Sequence, residues 1–481
     1  MAGKQEIRNN CHSSRLMKGR ILQMDKLFGA EGITGIAVTE VTCELVMQTG
    51  RALVLSLMRR LQHKVTILVG KDTRLSSNIL ENALIAGICS AGADVRRLGV
   101  IPVAAVAYLV TRTGADAGIM ISCSHGGFEL NGLKIFSSAG YRISEDVEDE
   151  IETAVLCEPE TIRIMSHDAV GYAVIYKDAE WDYLRYLIKL EKFDLTGLRV
   201  VIDCANGCAS QSAEKLYSAL GARCFMVNNT PDGKNINDRC GVGYTGLLAK
   251  FVRSKRADIG LVFDGDASRC LAVDENGDII DGDQIMAILS LYYKREVRLK
   301  KDTVVITDLS NLGFRHFASM NNIRVSTSKP GERSIVEKLL DGGYMMGGEQ
   351  NGRIIFSDVS TTCDGLLTGL RLLSALKNSG KKLSGLASAM EKYPQVMINV
   401  SIRPEYKELW KNNSDITDLI EKKQYGLGDD GRIFVREVGA EPLIRVMVEG
   451  KSFETINECA MEISDKIKEH TGSKLAVAGV E

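Results

Sequence analysis

Val65-Thr66-Ile67-Leu68-Val69-Gly70 is an apolar, β-branched run that ends on glycine, and the segment behind it carries Leu80, Leu84 and Ile88 at the spacing of one helix face. A buried strand over 65–70 followed by a helix over 77–91 is the pattern of a βα unit, in which a strand of a parallel or mixed sheet is covered by the helix that follows it. The unit recurs. Residues 199–203 and 224–228 read as strands flanking a helix over 212–220, and 303–308 and 323–327 read as strands before a helix over 332–340. Beyond about Lys392 the pattern changes to strands over 396–402, 432–437 and 443–449 and an amphipathic helix over 453–470. The predicted fold class is α/β, with three related α/β domains and a smaller C-terminal α+β domain. A chain of 481 residues exceeds what one core sustains, which agrees with four domains. The expected boundaries are 24–160, 161–279, 280–391 and 392–473.

Composition narrows the classes of function. The chain is 45% hydrophobic and 25% charged, as in ordinary globular proteins. Lys and Arg total 60 against 62 for Asp and Glu, which argues against a nucleic-acid surface but leaves room for a local basic cleft. No apolar run approaches the roughly 20 residues of a membrane span. Twelve scattered cysteines without a C-x-x-C pair fit thiols in a reducing, cytoplasmic setting better than a disulfide frame. Cys204 and Cys208 have no second zinc half-site and read as structural thiols. Residues 1–23 carry Lys4, Arg8, Arg15, Lys18 and Arg20 against Glu6 alone; a disordered extension is expected there in preference to a transit segment.

Ligands of open α/β sheets bind beyond the carboxyl ends of the strands, so the loops leaving those strands are the candidate chemistry. Ser122-Cys123-Ser124-His125-Gly126-Gly127 follows the apolar run 117–121, and its small residues let backbone N–H groups face an anion. Asp264-Gly265-Asp266-Ala267-Ser268-Arg269 closes a strand over 259–263. Its two carboxylates suit a hard, oxygen-seeking cation such as Mg²⁺, and its arginine suits a phosphate. Gly347-Gly348-Glu349-Gln350-Asn351-Gly352-Arg353 and Arg436-Glu437-Val438-Gly439-Ala440-Glu441-Pro442, with Arg445 beyond, complete the set. Any one of these read alone is equally well a connecting turn, whereas 274–278 reads as a plain hairpin turn.

In this order the loops resemble those of the α-D-phosphohexomutases. The resemblance runs from about Lys26 to Gly450 and includes Lys26-Leu27-Phe28-Gly29, Gly70-Lys71-Asp72-Thr73-Arg74, Asp203-Cys204-Ala205-Asn206-Gly207, Asn229-Thr230-Pro231-Asp232-Gly233 through Asn237, Asp281-Gly282-Asp283-Gln284 and Leu443-Ile444-Arg445-Val446. It implies four domains around a central cleft and interconversion of glucosamine 6-phosphate and glucosamine 1-phosphate through a phosphoserine and a sugar 1,6-bisphosphate. It assigns catalysis to Ser124, His125, Lys134 and Arg269, and Mg²⁺ binding to Ser124, Asp264, Asp266 and Ser268. The sugar falls to Glu349, Asn351 and Arg353, and the non-reacting phosphate to Arg436, Gly439 and Arg445. A sugar phosphate is the implied partner, with neither nucleic acid nor membrane; a homodimer and a regulatory protein partner are left open.

The working loops depart from the family pattern. The opening G-T-D-G-I-R-G reads Gly29-Ala30-Glu31-Gly32-Ile33-Thr34-Gly35, so Thr34 stands for an arginine. S-H-N-P becomes Ser124-His125-Gly126-Gly127, Ser268 replaces a third acid, Arg353 replaces a histidine, and Val438 and Ala440 replace hydroxyl donors. Each lost hydroxyl bond to a charged group costs about 1.5–3 kcal/mol of phosphate anchoring, and Glu437 adds a carboxylate near the expected phosphate. A weakened mutase is expected; the alternative is a catalytically inactive paralogue acting through ligand or partner binding.

Overall fold

The computed structural model of the protein describes residues 26–190, 194–403, 409–437 and 443–471. The extension over 1–23 and the loop residues Val438, Gly439 and Ala440 lie outside the described residues. The chain divides into two units: residues up to Asp308 together with Val325–Ala387, and Leu309–Arg324 together with everything from Ser388.

The first unit contains three sheets. One has six strands, β1 (Ile33–Ile36), β2 (Thr66–Lys71), β3 (Asp94–Val100), β4 (Ala117–Ile121), β5 (Leu130–Ser137) and β6 (Ala173–Ile175), in the order β1-β5-β4-β2-β3-β6. β2 runs parallel to β3 and β4, and β5 returns antiparallel to β4. The βα unit read from 65–91 is present as β2 and the helix Leu75–Ser90; Leu80, Leu84 and Ile88 are fully buried in one cluster with Ile67 and Val69. The second sheet consists of β7 (Arg199–Asp203), β8 (Arg223–Val227), β9 (Ile259–Phe263), β10 (Cys270–Val273) and β11 (Ile279–Ile280), ordered β11-β10-β9-β7-β8. The turn before β11 is built on Asp274, whose Oδ1 accepts the N–H groups of Asn276, Gly277 and Asp278. The third comprises β12 (Thr303–Thr307), β13 (Arg324–Ser328), β14 (Met346–Gly348) and β15 (Ile354–Phe356), ordered β13-β12-β14-β15.

The second unit is an antiparallel sheet of β16 (Gln395–Ser401), β17 (Gly431–Glu437) and β18 (Leu443–Gly450), with β18 central. The helix Phe453–Thr471 packs Ile456, Ala460, Ile463 and Ile467 into one cluster with Val446 and Val448. The helix Leu312–Met320, which lies between β12 and β13 in the chain, belongs to this unit: the Leu312 N–H donates to Glu449 Oε1 at 2.8 Å. The fold is thus three α/β layers plus a smaller α+β module.

Cys204 and Cys208 are buried free thiols, as are the other described cysteines apart from the half-buried thiols and disulfide-bonded Cys157. Among the described residues no helix is long and apolar enough to cross a membrane.

Candidate active site

Ser124 sits on the turn that leaves β4, with φ at +42°, the left-handed region that a residue with a side chain enters at a cost. The surroundings force it there. Arg74, itself buried, donates to the Gly126 carbonyl at 2.5 Å and the Gly127 carbonyl at 3.2 Å, and is paired with Asp72. Asn237 Nδ2 reaches across from the second layer to the carbonyls of Ser124 at 2.9 Å and Gly126 at 2.8 Å. Gly265 approaches so closely that a Cβ there would stand 2.6 Å from the Ser124 carbonyl oxygen, so the glycine between the two aspartates is a steric requirement.

The acidic loop leaving β9 meets this turn. Asp266 Oδ2 accepts from Ser124 Oγ at 2.9 Å and from Lys134 Nζ at 2.7 Å, and Lys134 Nζ also donates to Ser124 Oγ at 2.6 Å. Asp264 Oδ2 accepts from Ser268 Oγ at 3.0 Å, and Asp264 Oδ1 from the Arg269 N–H at 2.9 Å. Both aspartates are fully buried, and Lys134 is 3% exposed. Burial raises the Asp264 carboxyl, with the Asp266 charge adding to it. Burial opposes ionisation of Asp266 too, but the Lys134 ammonium and the hydrogen bonds from Lys134, Ser268 and Ser124 overcome it and hold that carboxyl low. Burial works against the Lys134 charge, and the carboxylates of Asp266 and Glu31 outweigh it, keeping Lys134 an ammonium.

The third loop is stitched to the second: the Cys270 N–H donates to the Gly352 carbonyl at 3.0 Å, and Arg269 and Arg353 form a backbone bridge. Glu349 accepts from the Gly331 N–H at 2.9 Å and from Asn351 Nδ2 at 3.1 Å. The Arg353 guanidinium grips Glu31 with two hydrogen bonds, one of 2.7 Å. Arg269 Nε has no hydrogen-bond partner among the described residues although it is buried, and lies 3.6 Å from Asp264 Oδ2. Loss of hydration, then repulsion by Arg269 and Arg353, pushes the His125 imidazolium down to about 4.

The fourth loop is described within its own unit. Arg436 and Arg445 stand opposite each other across β17 and β18, an unfavourable pairing of like charges unless an anion joins them. Arg445 Nε donates to Asn399 Oδ1 at 2.9 Å, while the buried Arg436 Nε has no hydrogen-bond partner among the described residues. Glu437 does not crowd that pair: its carboxylate is held by Trp410 Nε1 at 2.9 Å and by Lys411.

The residues present fit Mg²⁺ by chemistry, since Asp264, Asp266, Ser124 and Ser268 offer only oxygen donors and two negative charges. Mg²⁺ is commonly held by one or two carboxylates plus a phosphate. Among the described residues no group of three His, Cys, Asp or Glu side chains is placed to hold a metal. Sequence reasoning gave no role to Arg74, Asn237 or Glu31. Arg74 and Asn237 lie at the ends of quoted segments, and Glu31 lies in the altered opening loop, so their proximity in sequence to the motifs was the signal.

Three α/β layers bring a strained serine, an ammonium and paired buried carboxylates together at their strand-end loops, the arrangement that the resemblance to the phosphohexomutases implies. Family models for phosphoglucomutase/phosphomannomutase match along the chain: α/β/α domain I at residues 25–161, domain II at 181–277, domain III at 281–393 and the C-terminal domain at 397–466. The phosphoglucosamine mutase of Acetivibrio thermocellus is 44% identical over 449 residues, covering 93% of this chain and 100% of the relative. That of Clostridium acetobutylicum is 43% identical over 445 residues, covering 92% and 99%. Among solved structures, a phosphoglucomutase/phosphomannomutase family protein from Burkholderia thailandensis superposes with a TM-score of 0.77 at 21% identity, covering 94% of this chain and 99% of that one. Aspergillus fumigatus N-acetylphosphoglucosamine mutase in complex with GlcNAc-6P and magnesium gives 0.66 at 14%, covering 97% and 99%. The chain belongs to the phosphoglucomutase/phosphomannomutase family, the α-D-phosphohexomutases, and is similar to its phosphoglucosamine mutases.

Proposed function

We propose that the chain interconverts glucosamine 6-phosphate and glucosamine 1-phosphate through a phosphorylated Ser124 and a sugar 1,6-bisphosphate. The observation that carries this reading is the placement of Lys134 Nζ 2.6 Å from Ser124 Oγ, with both groups on Asp266. An ammonium stationed on the serine oxygen is a proton donor to that oxygen as the phosphoryl group leaves it. The Oγ–P bond breaks as a bond forms from phosphorus to the free hydroxyl of the sugar phosphate. Lys134 delivers a proton to Oγ, and His125 is the proposed acceptor of the hydroxyl proton. The bisphosphate then turns over and returns its other phosphoryl group to Ser124.

Arg269 faces the phosphoserine with its unsatisfied Nε, Glu349 and Asn351 take the sugar hydroxyls with Arg353 beside them, and Arg436, Gly439 and Arg445 hold the non-reacting phosphate. Asp264, Asp266, Ser124 and Ser268 are the proposed Mg²⁺ ligands, and the ion when bound neutralises charge on the transferring group. The phosphoglucosamine mutase relatives at 44% and 43% identity support the sugar. Ten free thiols among the described residues, against one disulfide-bonded cysteine, and a phosphorylated substrate fit a cytoplasmic setting.

Intact-mass measurement of the purified protein tests the reading: a phosphate adds about 80 Da and disappears in Ser124→Ala. A coupled assay with glucosamine 6-phosphate and catalytic glucosamine 1,6-bisphosphate then reports turnover. A chain that neither carries phosphate nor turns over substrate is the inactive paralogue instead.

A further inference from the structure

A cavity of about 600 Å³ opens at the opposite edge of the second sheet from the catalytic loops. Ala257 and Asp258, which lead into β9, line it, and β9 spans Ile259–Phe263 before Asp264 begins at its far end. Five residues at about 3.3 Å each separate the two places by about 16 Å. Five bases border the cavity: Arg253, Arg256, Lys377, Lys381 and Lys382.

Only two carboxylates line it: Asp258 is bonded to its own framework, and Glu275 is bonded to Ser384 and also faces the Lys382 charge. Asp258 Oδ2 accepts the Arg199 N–H at 2.8 Å, and Glu275 accepts from Ser384 Oγ at 2.5 Å and the Ser384 N–H at 3.3 Å. Two of the bases have local work. Arg253 closes the last turn of the helix Gly246–Lys255 and donates to the Asn276 carbonyl at 3.1 Å; Lys377 closes the last turn of the helix Gly365–Ser379 and donates to the Thr196 carbonyl. Basic side chains at helix C-termini are ordinary dipole partners. Arg256, Lys381 and Lys382 lie beyond those last turns and that account does not cover them. In a chain of net charge −2, three exposed cations bordering a concavity that Leu198 and Leu376 also line concentrate positive potential where a small anion fits.

We propose that this cavity binds a nucleoside diphosphate, its phosphates on Arg256, Lys381 and Lys382 and its base or sugar on the Leu198–Leu376 floor. The site is separate from the catalytic loops and holds whether or not the chain is a mutase. Isothermal titration of the full chain with ADP and with UDP tests it, alongside Arg256→Glu/Lys382→Glu and, separately, Arg269→Ala. Saturable binding is expected that weakens at least tenfold in the double variant, weakens with added salt, and is unchanged in Arg269→Ala. Both reversed residues are exposed, and equal melting temperatures certify folding; Lys381→Ala/Lys382→Ala provides a milder second variant with the same expected direction. Absence of saturable binding, or binding lost in Arg269→Ala and kept in the double variant, overturns the proposal.

Discussion

Arg353 and Glu31, 322 residues apart in the chain, are joined by two hydrogen bonds between guanidinium and carboxylate. Position 31 keeps an acid where the family's opening motif has an aspartate, and the cation that replaces a histidine in the third loop meets that acid. Glu31 Oε2 in turn lies 3.8 Å from Lys134 Nζ, so the pair borders the ammonium beneath Ser124.

The pair makes stability depend on pH in a defined direction. Burial raises the Glu31 carboxyl, but Arg353 first and then Lys134 bring it down to about 2. A depressed carboxyl contributes stability that is present above the usual glutamate range and is lost as pH falls toward 2. With the side chain 37% exposed, screening reduces the contribution to about 1–2 kcal/mol. Urea unfolding of the parent and of Glu31→Gln should show that gap at pH 7 and its progressive closure as pH falls from about 5 toward 2; a gap independent of pH would exclude the pair as its source.

Lys134 is the test of the proposed proton transfer. Lys134→Met removes the proton donor to Ser124 Oγ, and kcat should fall by about 10²–10⁴-fold with a smaller effect on KM. It also leaves Asp266 buried without its partner, for a stability loss of about 3–5 kcal/mol. Lys134→Arg, which keeps the charge, should recover stability while remaining slow; an arginine variant as active as the parent would remove Lys134 from the proton transfer.

The strands of the three layers were legible because their apolar runs are short, buried and closed by turn residues. The read boundaries 199–203 match β7 residue for residue. The helix read over 212–220 starts earlier, at Ala209, because Ala209-Ser210-Gln211 adds little apolar periodicity. β6 escaped notice because its three residues are all exposed and carry no alternation to read. The placement of Ser124 and the two aspartates on strand-end loops was legible, but the Arg353–Glu31 pair was not: no local pattern reports which distant carboxylate a substituted cation will meet. Glu437 shows the same limit, since only the fold reveals Trp410 and Lys411 beside it.

Ser268 donates to Asp264 Oδ2 at 3.0 Å, so the hydroxyl presently calms a buried carboxylate. In Ser268→Asp that proton is gone and three carboxylates crowd one turn, which costs stability without a cation. The variant should melt lower than the parent in EDTA and gain more than the parent on adding MgCl₂. A proposed third ligand also predicts turnover that saturates at lower Mg²⁺. Equal Mg²⁺ responses of the two proteins would separate position 268 from the metal.

Asn237 tests whether the strained serine turn matters to chemistry. Its amide is the second layer's hold on the carbonyls of Ser124 and Gly126. Asn237→Ala removes a donor from the Ser124 carbonyl, at about 1–3 kcal/mol for a buried group left unpaired, while the Gly126 carbonyl keeps Arg74, and frees Ser124 to relax from φ +42° toward ordinary values. Rotation of Oγ away from Lys134 should then lower kcat by about tenfold or more, since misplacement of about 1 Å can cost a hundredfold. The proposed sugar and distal phosphate contacts are untouched, so KM should change little. Measuring kcat, KM and the phosphorylated fraction of Ser124 by intact mass separates this from simple unfolding. A variant with lowered melting temperature but parental kcat would mean that the turn is structural support alone.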